Sequence, residues 1–309
     1  MGARSGSAAM WLTRSAAGIG SGWRTASLCC LCLSTCLKII SAICTLQSAG
    51  EAGDMVYRYG GCSEIGDVRN ENQDRILCRT GSIGGIPCGL FLVADGMGGF
   101  RYGGWASEYT ARSFEAWWSR ELPQMILAGR DSSEDLEELL EQEIWEINRA
   151  LYQFGRQRQL RCGTTLSLLL LLGSRGFIRN LGDSRVYRQR DKRLCRLTQD
   201  QSLVAQLLRE GALTEQEAKT SARKNVLTMC LGMYEAAKSY GAKGRVRSGD
   251  VFLLCSDGLY NPLGESRMEE LLGLEGDAAE RKAALLRRQI PPGQALDNVS
   301  AVVVEVAER

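Results

Sequence analysis

Between Gly163 and Gly173 the chain reads Thr164-Thr165-Leu166-Ser167 and then five consecutive leucines. A run this short falls well below the roughly 20 apolar residues that a bilayer requires. Glycines bound it on both sides, so it reads as a strand buried in a core rather than a membrane span. Gly89 to Ala94, Val251 to Cys255 and Val299 to Val306 are apolar runs of the same kind. Phe177 to Leu181, Val186 to Arg190 and Leu194 to Leu197 read as short strands separated by turn residues. Helical patterning appears over Gly103 to Arg120 and over Asp131 to Gln153. In the second, Leu136, Leu139, Leu140, Ile144, Ile147 and Leu151 recur at helical spacing, and Ser132 or Ser133 supplies an N-cap. Shorter helices are expected over Ser202 to Glu210, Thr214 to Lys219 and Glu280 to Arg288. A strand-rich centre with separate helix groups predicts an α+β fold, with helices covering a sheet core.

Composition narrows the function. The chain contains no histidine, which excludes Ser-His-Asp and Cys-His triads and histidine-containing zinc sites. Proton transfers must then run on carboxylates, water or other groups, and a bound metal would be held by oxygen. Net charge is +2, from 38 basic and 36 acidic residues. Setting aside Arg4, Arg14, Arg24, Lys38, Glu51 and Asp54, the body carries 34 of each. A neutral body gives no reason to expect a nucleic-acid partner, which needs a concentrated basic face.

Five of the 12 cysteines crowd into Cys29 to Cys44, and seven are scattered singly through the body with no C-x-x-C pair. Cys78, Cys162, Cys230 and Cys255 lie among apolar residues and read as small core side chains, a reduced, cytoplasmic pattern. Residues 1–54 form a leader with three readings. Ala26 to Leu46 is apolar-biased, but Lys38 at its middle costs a membrane span roughly 2.5–3.5 kcal/mol. Arg14 and Arg24 ahead of the apolar run would suit a signal peptide. The third reading, which is favoured, is an upstream extension, with the soluble domain opening at Met55-Val56-Tyr57-Arg58-Tyr59 and occupying 55–309. Membrane association is expected only if the leader is a real anchor.

Two of the apolar runs end in Asp-Gly (Asp95-Gly96 and Asp257-Gly258), and a third begins just after Asp297. A single Asp-Gly after a strand is usually a turn. Several acids at strand tips can instead share a cleft, where they repel one another unless a cation neutralises them.

From Met55 onward the chain resembles the bacterial-type protein phosphatase 2C family, the metal-dependent serine/threonine phosphatases. Eight segments carry the resemblance in order. They are Gly66-Asp67-Val68-Arg69-Asn70-Glu71-Asn72-Gln73-Asp74, Val93 to Gly99, Gly163-Thr164-Thr165 and Gly182-Asp183-Ser184-Arg185. Leu197-Thr198 with Asp200, Asn225 to Thr228, Cys255 to Leu259 and Asp297-Asn298-Val299 complete the set. The resemblance implies a central β-sandwich flanked by antiparallel helix pairs. It also implies Asp95 bridging two Mn²⁺ or Mg²⁺ ions, with the Gly96 carbonyl completing one and Asp257 and Asp297 holding the other. Asp74 would be a ligand through water or an orienting acid, and Arg69 would bind phosphate. A water held between the ions would attack phosphorus in line, without a phosphoenzyme. Asp183 and Arg185 are expected to support the fold, and Thr164 and Thr165 to pack near the site.

Three departures stand out. Gln73 replaces a frequent Glu, and Gln201 replaces the usual His after Asp200. No Asp lies near Leu160, where relatives that bind a third metal place one, so a third ion is doubtful. The expected substrates are phosphoproteins, those of a Ser/Thr kinase by family analogy, acted on by a monomer. The alternative reading is a phosphatase-like binding or regulatory module that has lost turnover. The intact acids and Arg69 favour the enzyme.

Overall fold

The computed structural model describes residues 55–98, 102–276 and 278–309. Expectations for the leader fall outside them. Eleven strands are described: β1 (Met55–Glu64), β2 (Asp74–Ile83), β3 (Ile86–Met97), β4 (Gly163–Thr164), β5 (Leu166–Leu172), β6 (Arg175–Leu181), β7 (Arg185–Arg190), β8 (Arg193–Arg196), β9 (Tyr240–Arg245), β10 (Val251–Cys255) and β11 (Val299–Glu308). The helices are α1 (Tyr102–Ser119), α2 (Glu121–Leu127), α3 (Ser133–Arg158), α4 (Leu203–Arg209), α5 (Glu215–Thr220), α6 (Asp257–Leu272) and α7 (Ala279–Arg288).

The strands form two antiparallel sheets, ordered β1-β11-β10-β7-β8 and β2-β3-β5-β6-β9, with β4 paired to the end of β3. Side chains alternate across each strand, so each apolar run is divided between two cores. In β5, Leu169 and Leu171 point between the sheets with Phe91, Val93, Phe252, Leu254, Val302 and Val304. Leu166, Leu168, Leu170 and Leu172 point the other way, onto Phe114, Trp117, Leu140, Ile144 and Ile147 of α1 and α3. In the first sheet, Leu253, Cys255, Val299, Ala301 and Val303 meet Leu259, Met268, Leu271 and Leu286 of α6 and α7. The central strands of both sheets are covered on both faces, so they lack the apolar–polar alternation of a half-exposed antiparallel sheet. The expected fold class, a β-sandwich between helical layers, is the one observed.

Local signals account for several boundaries. Ser132, rather than Ser133, caps α3, its side chain accepting the Asp135 amide, and Gln159 ends the helix in the left-handed conformation. Thr214 and Glu217 form a reciprocal capping box on α5. Five elements, β1, β2, β9, α2 and α6, are new relative to the sequence reading. β2 carries Arg75 and Arg79, and β9 is a largely exposed edge strand with two glycines, so neither shows a clean apolar period. α2 is a short helix of seven residues directly after α1, and α6 contains Pro262 and a break at Gly264 (φ 72°). Among the described residues no helix is long and apolar enough to cross a membrane. The seven body cysteines are all free. Cys162, Cys230 and Cys255 are buried as expected, Cys88 is buried too, and Cys78 is only half-buried.

Candidate active site

The acids converge at one end of the sandwich. Asp95 lies near the end of β3, directly opposite Asp74 at the start of β2. Asp257 follows β10 and opens α6, while Asp297 lies two residues before β11. Neither Asp-Gly pair is a turn. β3 runs on through Asp95-Gly96 to Met97, paired to β4, and Asp257-Gly258 begins a helix. Asp95, Asp257 and Asp297 line a cleft of about 900 Å³, together with Arg69, Glu71, Gln73, Gly96, Thr165, Asp183, Asn225 and Leu227.

Backbone and hydroxyl groups hold this end in place. The Asp95 amide donates to Thr165 Oγ1 at 2.9 Å, and Thr164 Oγ1 donates to the Asp95 carbonyl at 2.9 Å. Thr165 Oγ1 also meets Ser184 Oγ at 2.8 Å. The expectation that these threonines pack near the site holds, and they fix the main chain that carries Asp95. Ser256 stands at the N-cap position of α6 but makes no capping bond. Its hydroxyl instead donates to Asp74 Oδ2 at 2.8 Å. Asn298 ties the 65–73 loop to β11. Its Oδ1 accepts the Gln73 amide, and its Nδ2 donates to the Ile65 and Glu71 carbonyls. Gly66 (φ 79°) passes so close to this junction that a Cβ would sit 2.1 Å from the Asp297 carbonyl oxygen.

Gly96 is constrained by packing. A Cβ there would lie 2.2 Å from the Gly103 carbonyl oxygen and 2.6 Å from that of Gln73. Close approach of α1 and the β2 lead-in therefore excludes a side chain at this position. Gln201, standing where relatives carry His, receives the Gly182 amide on Oε1 and donates from Nε2 to the Lys238 carbonyl.

The electrostatics are those of crowded acids with Arg69 alone pairing one of them at the cleft mouth. Burial pushes Asp95 well above the ordinary carboxylate range, and the charges of Asp74, Asp257, Asp183 and Asp297 push it further. Asp257 is raised to about 8 by burial, then by Asp183 and Asp297. Asp74 is raised to about 6 by burial, against hydrogen bonds that pull it down. Asp74 Oδ1 and Asp257 Oδ1 are buried and have no hydrogen-bond partner. Arg69 crosses the cleft mouth and donates from Nη2 to Asp297 Oδ2 at 2.6 Å, with its side chain about half exposed.

Orphaned carboxylate oxygens beside mutually repelling acids are what a hard divalent cation would satisfy, and an all-oxygen donor set suits Mg²⁺ or Mn²⁺. Among the described residues, no three acidic or thiol groups are gathered tightly enough to cage an ion. The fit is one of chemistry and placement, not of a closed cage.

Asp183, expected to support the fold beneath the site, stands in the wall of the cleft. It is raised to about 6 by burial and then by Asp200. Its sequence signal is the same as that of Asp257, an acid two residues beyond a strand end. Arg185 does support the fold, pairing with Asp200 at 2.7 Å and lying 3.7 Å from the Tyr260 ring centroid. Leu160 is not among the residues lining the cleft.

A four-layer sandwich with buried aspartates at one end defines the class, and comparison with known proteins agrees. Residues 68–284 match the family described as Protein phosphatase 2C. The serine/threonine phosphatase stp of Listeria welshimeri is 34% identical over 218 residues, covering 70% of this chain and 84% of that protein. A serine/threonine phosphatase structure from S. agalactiae superposes with a TM-score of 0.73 at 27% identity, over 81% of this chain and 99% of that one. The catalytic domain of the phosphatase PstP, solved with two manganese ions, gives a TM-score of 0.69 at 28% identity, over 82% of this chain and 100% of that one. The chain belongs to the protein phosphatase 2C family and is a serine/threonine protein phosphatase.

Proposed function

We propose that this cleft hydrolyses phosphoserine and phosphothreonine in proteins with two divalent cations, Mn²⁺ or Mg²⁺, held by Asp95, the Gly96 carbonyl, Asp257 and Asp297. The observation that carries the reading is the pair of buried, unpartnered oxygens on Asp74 and Asp257, set among acids that raise one another. When bound, the cations neutralise the acids and supply Lewis acidity and an activated water nucleophile.

The chain's own residues do the rest. Thr164 and Thr165 clamp the Asp95 backbone, so that its carboxylate is aimed before substrate arrives. Asp74, fixed by Ser256, is placed to orient water beside the cluster. Arg69 at the cleft mouth exchanges Asp297 for two phosphoryl oxygens, a geometry suited to its planar fork. No side chain here needs to be a nucleophile, in keeping with a direct in-line displacement. The free thiols support a reducing, cytoplasmic setting. Substrates of a Ser/Thr kinase, met by a monomer whose catalytic domain spans 55–309, complete the proposal.

The test is hydrolysis of a phosphoserine peptide. Activity is expected with added Mn²⁺ or Mg²⁺, lost in excess EDTA and recovered on re-addition. Full turnover in EDTA would refute the metal assignment.

A further inference from the structure

At the far end of the first sheet, the β7–β8 hairpin carries a basic niche. A cavity of about 530 Å³ is lined by Arg188, Arg190, Asp191, Arg193 and Cys195. Strand register explains the cluster. Arg188 pairs with Cys195 and Arg190 with Arg193, and directly opposed residues share a face. Val186, two residues earlier on the same face, points between the sheets. The niche is therefore the continuation of the inter-sheet layer beyond its apolar part.

The charges here are unevenly matched. Arg190 is fully engaged, donating to both oxygens of Asp250 at 2.6 and 2.7 Å. The side chains of Arg188 and Arg193 have no hydrogen-bond or ion-pair partner among the described residues. Arg188 Nε is buried and lacks an acceptor altogether. Burial, then the neighbouring charge of Arg190, pulls Arg188 below its ordinary value, with Arg247 adding to the repulsion and Asp250 opposing it. A half-buried guanidinium held against two others, with a donor facing no acceptor, is costly unless an anion completes it. Asp191, at the positive-φ turn, is the only acid lining the cavity, one against three arginines.

We infer that this niche is a second phosphoryl-anion site, which engages a phosphorylated residue of the protein substrate other than the one being hydrolysed. A phosphate monoester presents several oxygens to guanidinium forks and carries close to two charges, which matches the two unpartnered arginines better than a single carboxylate would. The placement favours a substrate over a free ion. Arg188 lies five residues beyond Asp183 of the cleft along nearly straight chain, at most roughly 17 Å away. A segment carrying two phosphoresidues needs about five or more extended residues between them to span that distance. The inference rests on the phosphatase reading and adds to it a preference for multiply phosphorylated proteins.

The experiment compares two peptides on the full chain, one with a single phosphoserine and one with a second phosphoserine six to eight residues away. With Mn²⁺ present, the wild type is expected to show kcat/KM about tenfold higher on the doubly phosphorylated peptide. Arg188→Ala and the exposed Arg193→Ala should abolish that preference while leaving turnover of the singly phosphorylated peptide unchanged. No preference in the wild type, or a preference that survives both substitutions, would overturn the inference. Calorimetric titration in EDTA separates this site from the chemistry, because binding here needs no metal and is read even if no peptide is hydrolysed. The doubly phosphorylated peptide should bind the wild type at least tenfold more tightly than Arg188→Ala. Equal binding overturns the proposal. If inorganic phosphate alone binds and is lost in Arg188→Ala, yet the second phosphoserine adds nothing, the niche is a free-phosphate site and substrate engagement is refuted.

Discussion

Replacing Asp257 by Asn should stabilise the metal-free protein at neutral pH. Asp257 has an ordinary pKa of 3.8 and is raised to about 8 in the fold. Between those values the folded state binds the proton and the unfolded state has lost it, so stability falls as pH rises and then levels off above about 8. Four units correspond to a ceiling of about 6 kcal/mol. One oxygen of Asp257 is buried while the residue borders the open cleft, so solvent screening reduces this to roughly 2–3 kcal/mol. In a domain of this size that is about 5–10 °C in melting temperature. Thermal melts in EDTA at pH 5 and pH 8 read the effect. The wild type should melt lower at pH 8, and Asp257→Asn should recover the Asp257 share of the difference, the rest belonging to Asp95, Asp74 and Asp183. Saturating Mn²⁺ should reverse the order at pH 8, because only the wild type gains from binding. A wild-type melting temperature that is flat or rising from pH 5 to 8 in EDTA would refute the reasoning, as would a variant that melts lower than wild type there.

Two further outcomes follow from the site. Arg69→Ala should lower kcat/KM on a phosphopeptide mainly through KM, since it removes a charge-assisted contact worth roughly 1.5–3 kcal/mol, and steady-state kinetics would show whether kcat alone falls instead. Gly96→Ala places a methyl 2.2 Å from the Gly103 carbonyl. It should cost at least about 1–3 kcal/mol in denaturant unfolding and depress activity by shifting the main chain beside Asp95.

Much of this protein was legible because its signals are local. Apolar runs marked the central strands, and the acids beside them, Asp95, Asp257 and Asp297, all line the cleft, whereas Asp74 was reached only through the family resemblance. What stayed hidden depends on distant partners. β9 pairs with β6 although its own residues are half glycine and polar, because the neighbouring strand supplies the hydrogen bonds. The helix after Asp257 has a nearly featureless pattern, broken by Pro262 and Gly264, and forms because its apolar residues meet those of α7 and β11. Asp183 enters the cleft only because β7 pairs with β10, which brings Gly182-Asp183 beside the end that leads to Asp257. Asn298 was quoted as part of a motif without a role, and its contacts are to loop carbonyls more than 200 residues away.

The leucine run of β5 has a consequence for alignment. A strand that is greasy on both sides carries no amphipathic instruction about how far to slide along its neighbours, since a two-residue slip would put leucine where leucine stood at most positions. The sheet must find its vernier in the few polar groups it buries. Ser167 and Asn180 face each other in register and hydrogen-bond across β5 and β6. One step beyond the strand, Thr165 exchanges hydrogen bonds with the main chain of Asp95. A two-residue slip would break both links and carry Thr165 about 7 Å from its place. These pegs cost solvation that an all-leucine strand would avoid. In return they index the sheet at the end where the carboxylates stand, so that catalytic alignment is built into the core as a matter of strand bookkeeping.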